Sequence, residues 1–114
     1  MKDVLEYKDY FQTGLWHVHT SYTDGDHTVK EICEHALENK YPLVCFSEHI
    51  RKEPSYNPRE FLAEIEEARK AYPQLIILSG FEAKILPDGE IDCPNSMQQE
   101  ADIIFLAEHG WKEN

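Results

Sequence analysis

The sequence predicts an α/β fold built on parallel strands, in the form of a sheet or a (β/α) barrel. Short, nearly continuous apolar runs recur along the chain, and segments with apolar residues at helical spacing separate them. Elements that alternate in this way join parallel strands through right-handed crossovers. The 114 residues suffice for one domain with one modest core, and we expect no internal domain boundary.

The first elements follow a polar and aromatic lead-in over 1–13, which the sequence leaves open between a short helix and an extended segment. The first strand is predicted over 14–19. A helix begins at Thr28, which stands in capping-box spacing with Glu31. The apolar run 43–47 predicts a second strand that is covered on both faces.

The next helix and strand have equally clear boundaries. Asn57 followed by Pro58 is a strong helix start, because it places an N-cap residue directly before a proline. Pro73 ends that helix. The apolar run 75–78 predicts the third buried strand.

The last elements before the end of the chain are a hairpin, a helix and a strand. The hairpin is predicted between 83–86 and 90–92, with its turn at 87–89. A short helix over 95–101 and a fourth buried strand over 103–107 complete the alternation.

Composition and charge exclude several classes of function. The net charge of -11 argues against a general nucleic-acid surface, and no apolar run is long enough to span a membrane. The charged N-terminus lacks the apolar core of a signal peptide, so we expect a cytoplasmic protein. The cysteines are odd in number and lack Cys-x-x-Cys spacing, which argues against a disulfide framework and a zinc ribbon; Cys33 and Cys45 are expected in the core.

Two histidines at alternate positions suggest a metal centre at the end of the first strand. Alternate strand residues share a face, so His17 and His19 are expected side by side, with Asp24 in a following turn. Imidazole and carboxylate groups suit zinc, iron or manganese. The alternative is a pair of histidines on a half-buried strand beside an ordinary turn acid.

Three further groups of polar residues strengthen the metal interpretation, because each follows a predicted strand. They are Glu48-His49, Gly80-Phe81-Glu82 and Glu108-His109. The carboxyl ends of parallel strands lie at one edge, so these groups are expected to converge. His27 and His35 do not follow strands and are expected at the surface.

The combined motifs resemble the polymerase and histidinol phosphatase (PHP) domain family from residue 14 to the end. The segments that carry the resemblance are His17-Val18-His19-Thr20, Thr23-Asp24-Gly25, Ser47-Glu48-His49, Gly80-Phe81-Glu82 and His109, with a similar hairpin over 82–92. The resemblance implies a distorted seven-stranded barrel with metals at the carboxyl ends of its strands. This chain would supply about four strands, as one partial domain over 14–114 that follows the lead-in.

The resemblance also implies a ligand set and a reaction. His17, His19 and Glu82 would bind one metal ion, Asp24 and His49 a second, and Glu82 would bridge to a third held by His109. One to three ions of zinc, manganese or iron would then support hydrolysis of a small phosphorylated substrate. Metal-bound hydroxide would attack phosphorus, so no serine or cysteine nucleophile is needed.

Two departures from the family pattern leave alternatives open. Glu48 stands where the family commonly has aspartate, and it either orients a ligand or is a solvated acid. The family's later ligands, a histidine and an Asp-x-His, have no counterpart in this sequence. The chain is therefore expected to be a phosphoesterase, or its N-terminal half, or a non-catalytic metal-binding or interaction module.

Two expectations concern partners. Arg51, Lys52 and Arg59 follow the second strand and are candidates to hold a substrate phosphate; the alternative is a solvated loop in which Glu53 and Glu60 pair with them. A partial barrel leaves strand edges open, so the chain is expected to associate with itself or with a complementary C-terminal half.

Overall fold

The structure is a computed structural model that describes residues 2–107. Its strands are β1 (Leu15–Val18), β2 (Leu43–Phe46), β3 (Glu48–His49), β4 (Ile76–Leu78), β5 (Gly80–Lys84) and β6 (Ile103–Ala107). Its α-helices are α1 (Val29–Glu38), α2 (Pro58–Ala71) and α3 (Asn95–Glu100). The lead-in contains a 3-10 helix, Val4–Tyr10, which decides between the two conformations that the sequence left open.

The strands form two parallel sheets. One sheet has the order β1-β2-β4 and the other has the order β3-β5-β6. The register pairs Cys45 with Leu78 in the first sheet and His49 with Glu82 in the second. A mixed α/β fold with parallel strands, as the sequence predicts, is therefore confirmed.

The second sheet corrects the predicted strand boundaries. The chain passes from β2 into β3 at Ser47, and from β4 into β5 at Ser79. Glu48-His49 and Gly80-Phe81-Glu82 therefore lie on strands of their own, rather than in loops after the buried runs. Gly80 permits the change of sheet, because a Cβ at this position would stand 2.3 Å from the carbonyl oxygen of Phe46.

The two helix starts predicted from capping residues are confirmed in atomic detail. The Thr28 hydroxyl accepts a hydrogen bond from the Glu31 N–H at 3.2 Å, and the Glu31 carboxylate accepts one from the Thr28 N–H at 2.9 Å. The Asn57 side chain accepts from the Arg59 N–H at 3.0 Å. Such caps satisfy N–H groups that a helix leaves without intrahelical partners.

The core lies between the sheets and the helices α1 and α2. Its largest fully buried side chains include Phe46, Phe61 and Phe81. Cys33 and Cys45 are also fully buried, as predicted, and burial raises the pKa of the Cys45 thiol to about 12. The core thus holds β2 and β5 in position. Glu48 and His49 follow β2, and Glu82 lies on β5.

Two predictions for the last third of the chain need qualification. The turn at 87–89 is confirmed, with Gly89 at φ +89° and an antiparallel bridge between Ile85 and Ile91. However, the first arm is the continuation of β5, and the predicted fourth buried strand is only partly buried. On β6, Leu106 is 54% exposed.

A membrane span finds no support among the described residues. No helix within residues 2–107 is long and apolar enough to cross a bilayer.

Candidate metal centre

The histidines at the end of β1 lie side by side, as their alternate spacing predicts. Their Nε2 atoms are 3.1 Å apart, and their ring centroids are 4.9 Å apart. His17 is largely exposed, whereas only 19% of the His19 side chain is accessible. The pair therefore presents two imidazole nitrogens to one point at the edge of the sheet.

Glu82 on β5 joins this pair. Its Oε1 atom lies 3.1 Å from His17 Nε2 and 3.0 Å from His19 Nε2. Ligand atoms at about 2.1 Å from one shared ion stand about 3.0–3.4 Å from each other in octahedral or tetrahedral geometry. The donor set and its spacing thus fit a divalent metal ion without rearrangement.

A second group of ligand atoms lies next to the first and shares His19 with it. Asp24 Oδ1 is 3.0 Å from His19 Nδ1, and Asp24 Oδ2 is 3.1 Å from His49 Nε2. The ring centroids of His19 and His49 are 4.0 Å apart. Two potential three-residue ligand groups, His17-His19-Glu82 and His19-Asp24-His49, therefore adjoin within the described residues.

The turn that presents Asp24 is tightly specified. The Gly25 N–H donates to the Thr20 carbonyl at 2.9 Å. A Cβ at position 25 would stand 2.4 Å from the His19 carbonyl oxygen, so the turn requires glycine there. From this turn the Asp24 carboxylate lies within hydrogen-bond distance of both His19 and His49.

The Glu48 side chain stabilises the same turn through hydrogen bonds. This carboxylate is fully buried. It accepts hydrogen bonds from the Thr20 N–H at 2.9 Å and the His49 N–H at 3.0 Å, and further bonds from the Thr20 and Thr23 hydroxyls. The alternative of a solvated acid is therefore wrong: Glu48 connects the loop that carries Asp24 to the strand that carries His49.

The imidazoles favour the ionised form of both carboxylates. Burial opposes ionisation of Glu82, but the hydrogen bond from His19 and the nearby charges of His17 and His49 outweigh it, so the pKa of this carboxyl lies below its usual value. For Asp24, desolvation is the largest single effect and raises the pKa, but the hydrogen bonds and charges of His49 and His19 together outweigh it, so the pKa of this carboxyl is also lowered. Both carboxyl groups are thus favoured in the anionic form, which is the form in which a carboxylate binds a metal ion.

The three cations proposed for phosphate binding occupy different surroundings. Arg51 lines a cavity of about 490 Å³ beside His49 and Glu82. Lys52 pairs with Glu90 at 3.2 Å and Arg59 with Glu100 at 2.9 Å. Neither Lys52 nor Arg59 lines that cavity, so the structure brings only Arg51 to the site.

Sequence reasoning missed Lys84, which lines the same cavity. The signal was available, since Lys84 stands two residues after Glu82 and alternate strand residues share a face. His27 and His35 are exposed, as predicted. His109 and Glu108 lie outside the described residues.

Comparison with known proteins identifies the class to which this fold and site belong. The family model for the PHP domain matches residues 16–113, so the chain belongs to the PHP domain family. The chain is also similar to the DNA polymerase/3'-5' exonuclease PolX of Bacillus subtilis (strain 168), with 26% identity over 102 residues. That match covers 84% of this chain but only 18% of the length of the relative.

Proposed function

We propose that this chain is a metal-dependent phosphoesterase domain that hydrolyses phosphate monoesters. The PHP family includes phosphoesterases. The observation that carries the proposal is the pair of adjoining ligand groups that share His19, with ligand atoms already at the spacing of a common ion. We further propose that the two parallel sheets are part of a seven-stranded PHP-type barrel.

The residues of this centre would have distinct roles in binding metal ions and in orienting the ligands. His17, His19 and Glu82 would hold one divalent ion, and Asp24 with His49 would hold a second. With a metal ion bound at its Nε2 atom, His19 would donate its Nδ1 proton to Asp24, 3.0 Å away, and this hydrogen bond would fix the orientation of the ring. Glu48 keeps the loop of Asp24 in place.

Bound zinc, manganese or iron would supply Lewis acidity toward a phosphoryl oxygen and would acidify water at neutral pH. The protein's contribution is to fix the donor atoms and to place the phosphate at the mouth of the cavity beside His49. Small phosphate esters are the favoured substrates, since the chain carries a net charge of -11. The relative is named as a DNA polymerase and 3'-5' exonuclease, so oligonucleotide ends are the natural comparison substrate.

The decisive experiment measures metal content and phosphatase activity on the same preparations. We expect one or more equivalents of metal per chain by elemental analysis, and hydrolysis of p-nitrophenyl phosphate with added manganese. His17→Ala and His19→Ala should both lose metal and activity, and His19→Ala should lose more because His19 serves both groups. His35→Ala, an exposed histidine outside either group, is the matched control and should retain both properties.

The pattern of results separates the two candidate functions. If wild-type protein binds metal that His19→Ala loses, but hydrolyses no phosphate ester, the result would support a non-catalytic metal-binding module instead. Wild-type protein that retains no metal would reject both functions for this chain.

A further inference from the structure

The cavity beside the candidate metal centre is lined by two basic side chains to which the proposed function assigns no role. Its lining includes His49 and Glu82 of the candidate metal centre, and also Arg51 and Lys84. Its volume of about 490 Å³ is in the range of sites for small molecules, which is roughly 300–1,000 Å³. The cavity thus has room for much more than a phosphate group.

Arg51 and Lys84 each follow a proposed metal ligand by two residues, and the two segments that carry them are neighbours. His49 and Glu82 are register partners on β3 and β5. Lys84 stands two residues after Glu82, so it shares the face of Glu82 and lies about 7 Å further along the strand. The Ile50 N–H donates to the Glu82 carbonyl at 3.2 Å, so the chain stays beside β5 beyond His49, and Arg51 follows in the same direction.

Arg51 and Lys84 have donors to offer a ligand. Other basic side chains near this end of the molecule are neutralised, as Lys52 is by Glu90 and Arg59 by Glu100. Within residues 2–107, neither Arg51 nor Lys84 forms an ion pair. Glu53 and Glu82 also line the cavity. Since Glu82 belongs to the proposed metal centre, Arg51, Lys84 and Glu53 leave one positive charge in excess outside that centre, on a chain whose net charge is -11.

We propose that Arg51 and Lys84 bind a second phosphate group of the substrate, in the part of the cavity that Lys84 lines two strand residues beyond Glu82. A guanidinium fork and an ammonium group together suit a dianion better than a neutral group. This inference rests on the proposed function, and it narrows the substrate class to phosphate esters that carry another phosphate. A small bisphosphate and the end of an oligonucleotide share this chemistry.

The test uses ligands that cannot be hydrolysed. Tetramethylene bisphosphonate carries two anionic groups on a flexible chain that spans about 7 Å, comparable to the distance between Glu82 and Lys84 along β5, and butylphosphonate is its counterpart with a single anionic group. Calorimetric titration of the manganese-loaded full chain should give about tenfold tighter binding of the bisphosphonate. Lys84→Ala and Arg51→Ala should each remove most of this preference while leaving butylphosphonate binding unchanged.

Two further variants sharpen the result. Lys52→Ala is the matched control, because Lys52 is paired with Glu90 outside the cavity and should leave the preference intact. Glu53→Gln should increase the preference, because it removes the acid that opposes the two cations. Equal affinity for the two ligands in wild type, no binding of either, or a preference that survives both Lys84→Ala and Arg51→Ala would overturn the inference.

Failure of the proposed function gives a different pattern. A loaded protein that hydrolyses no phosphate ester, yet still prefers the bisphosphonate through Lys84 and Arg51, would reject phosphoesterase activity and leave the second phosphate site in place. If hydrolysis occurs, a trinucleotide with a 5' phosphate and a small sugar bisphosphate, compared by kcat/KM in wild type and Lys84→Ala, distinguish the two sources of the second phosphate.

Discussion

At the scale of single residues, Glu48 shows most clearly what the sequence conceals. The position after a buried strand indicated a polar group, but not that it is fully buried. Its hydrogen-bond donors include Thr20 and Thr23, which precede it by an entire helix and strand. Only the folded arrangement brings them together, whereas the side-by-side placement of His17 and His19 follows from local spacing alone.

We expect Glu48→Gln to destabilise the protein by about 3 kcal/mol, because one buried backbone N–H, of Thr20 or His49, would face an amide NH₂ instead of an oxygen. Urea unfolding measures this change. The substitution should also weaken metal binding about tenfold by loosening the turn that carries Asp24. Glu53→Gln changes the same functional group at an exposed position and should leave stability unchanged; equal losses in the two variants would contradict the assigned role.

At the scale of elements, local signals predicted the helices better than the strands. Hydrogen bonds and backbone preferences within a few residues determine where these helices start, as at Thr28 with Glu31 and at Asn57 with Pro58. The starts can therefore be predicted from the sequence. The division into two sheets at Ser47 and Ser79 depends instead on close packing between β2 and β5. The same limit applies to the cations, because the ion pairs of Lys52 and Arg59 join distant segments.

The change of sheet at Gly80 makes a quantitative prediction. Gly80→Ala would place a Cβ within 2.3 Å of the Phe46 carbonyl oxygen, and backbone cannot move aside as a flexible side chain can. We expect a loss of about 3 kcal/mol in the free energy of unfolding. Gly89→Ala is the control, since a Cβ there meets nothing within 4 Å and only the positive φ costs about 1 kcal/mol. A smaller loss of unfolding free energy in Gly80→Ala than in Gly89→Ala would contradict the close packing of Gly80 against Phe46.

At the scale of the whole molecule, the sheets have edges within the described residues. There, β1 pairs only with β2, and β6 pairs only with β5. The edge strand β6 also carries Leu106, which is 54% exposed. Unpaired strand edges with exposed apolar side chains favour association with another chain.

We therefore predict that the chain associates with a second copy or with a complementary C-terminal half. Sedimentation velocity should show a mass that rises with concentration, and Leu106→Lys should shift the equilibrium toward the monomer. Leu5→Lys introduces the same change at a residue that is 63% exposed on the 3-10 helix, and should have no such effect. A monomer at high concentration with a cooperative thermal transition would contradict this prediction.

The parallel pairing of every strand has a consequence for the order of events during folding. Each ladder joins segments with a helix between them in sequence, so no ladder can form before a long loop closes. The helices α1 and α2 can begin locally, whereas His19, His49 and Glu82 meet only after the crossovers that contain them are complete. The two candidate ligand groups therefore form late in folding, and we predict that a metal ion bound there is released in the same step that separates the strands.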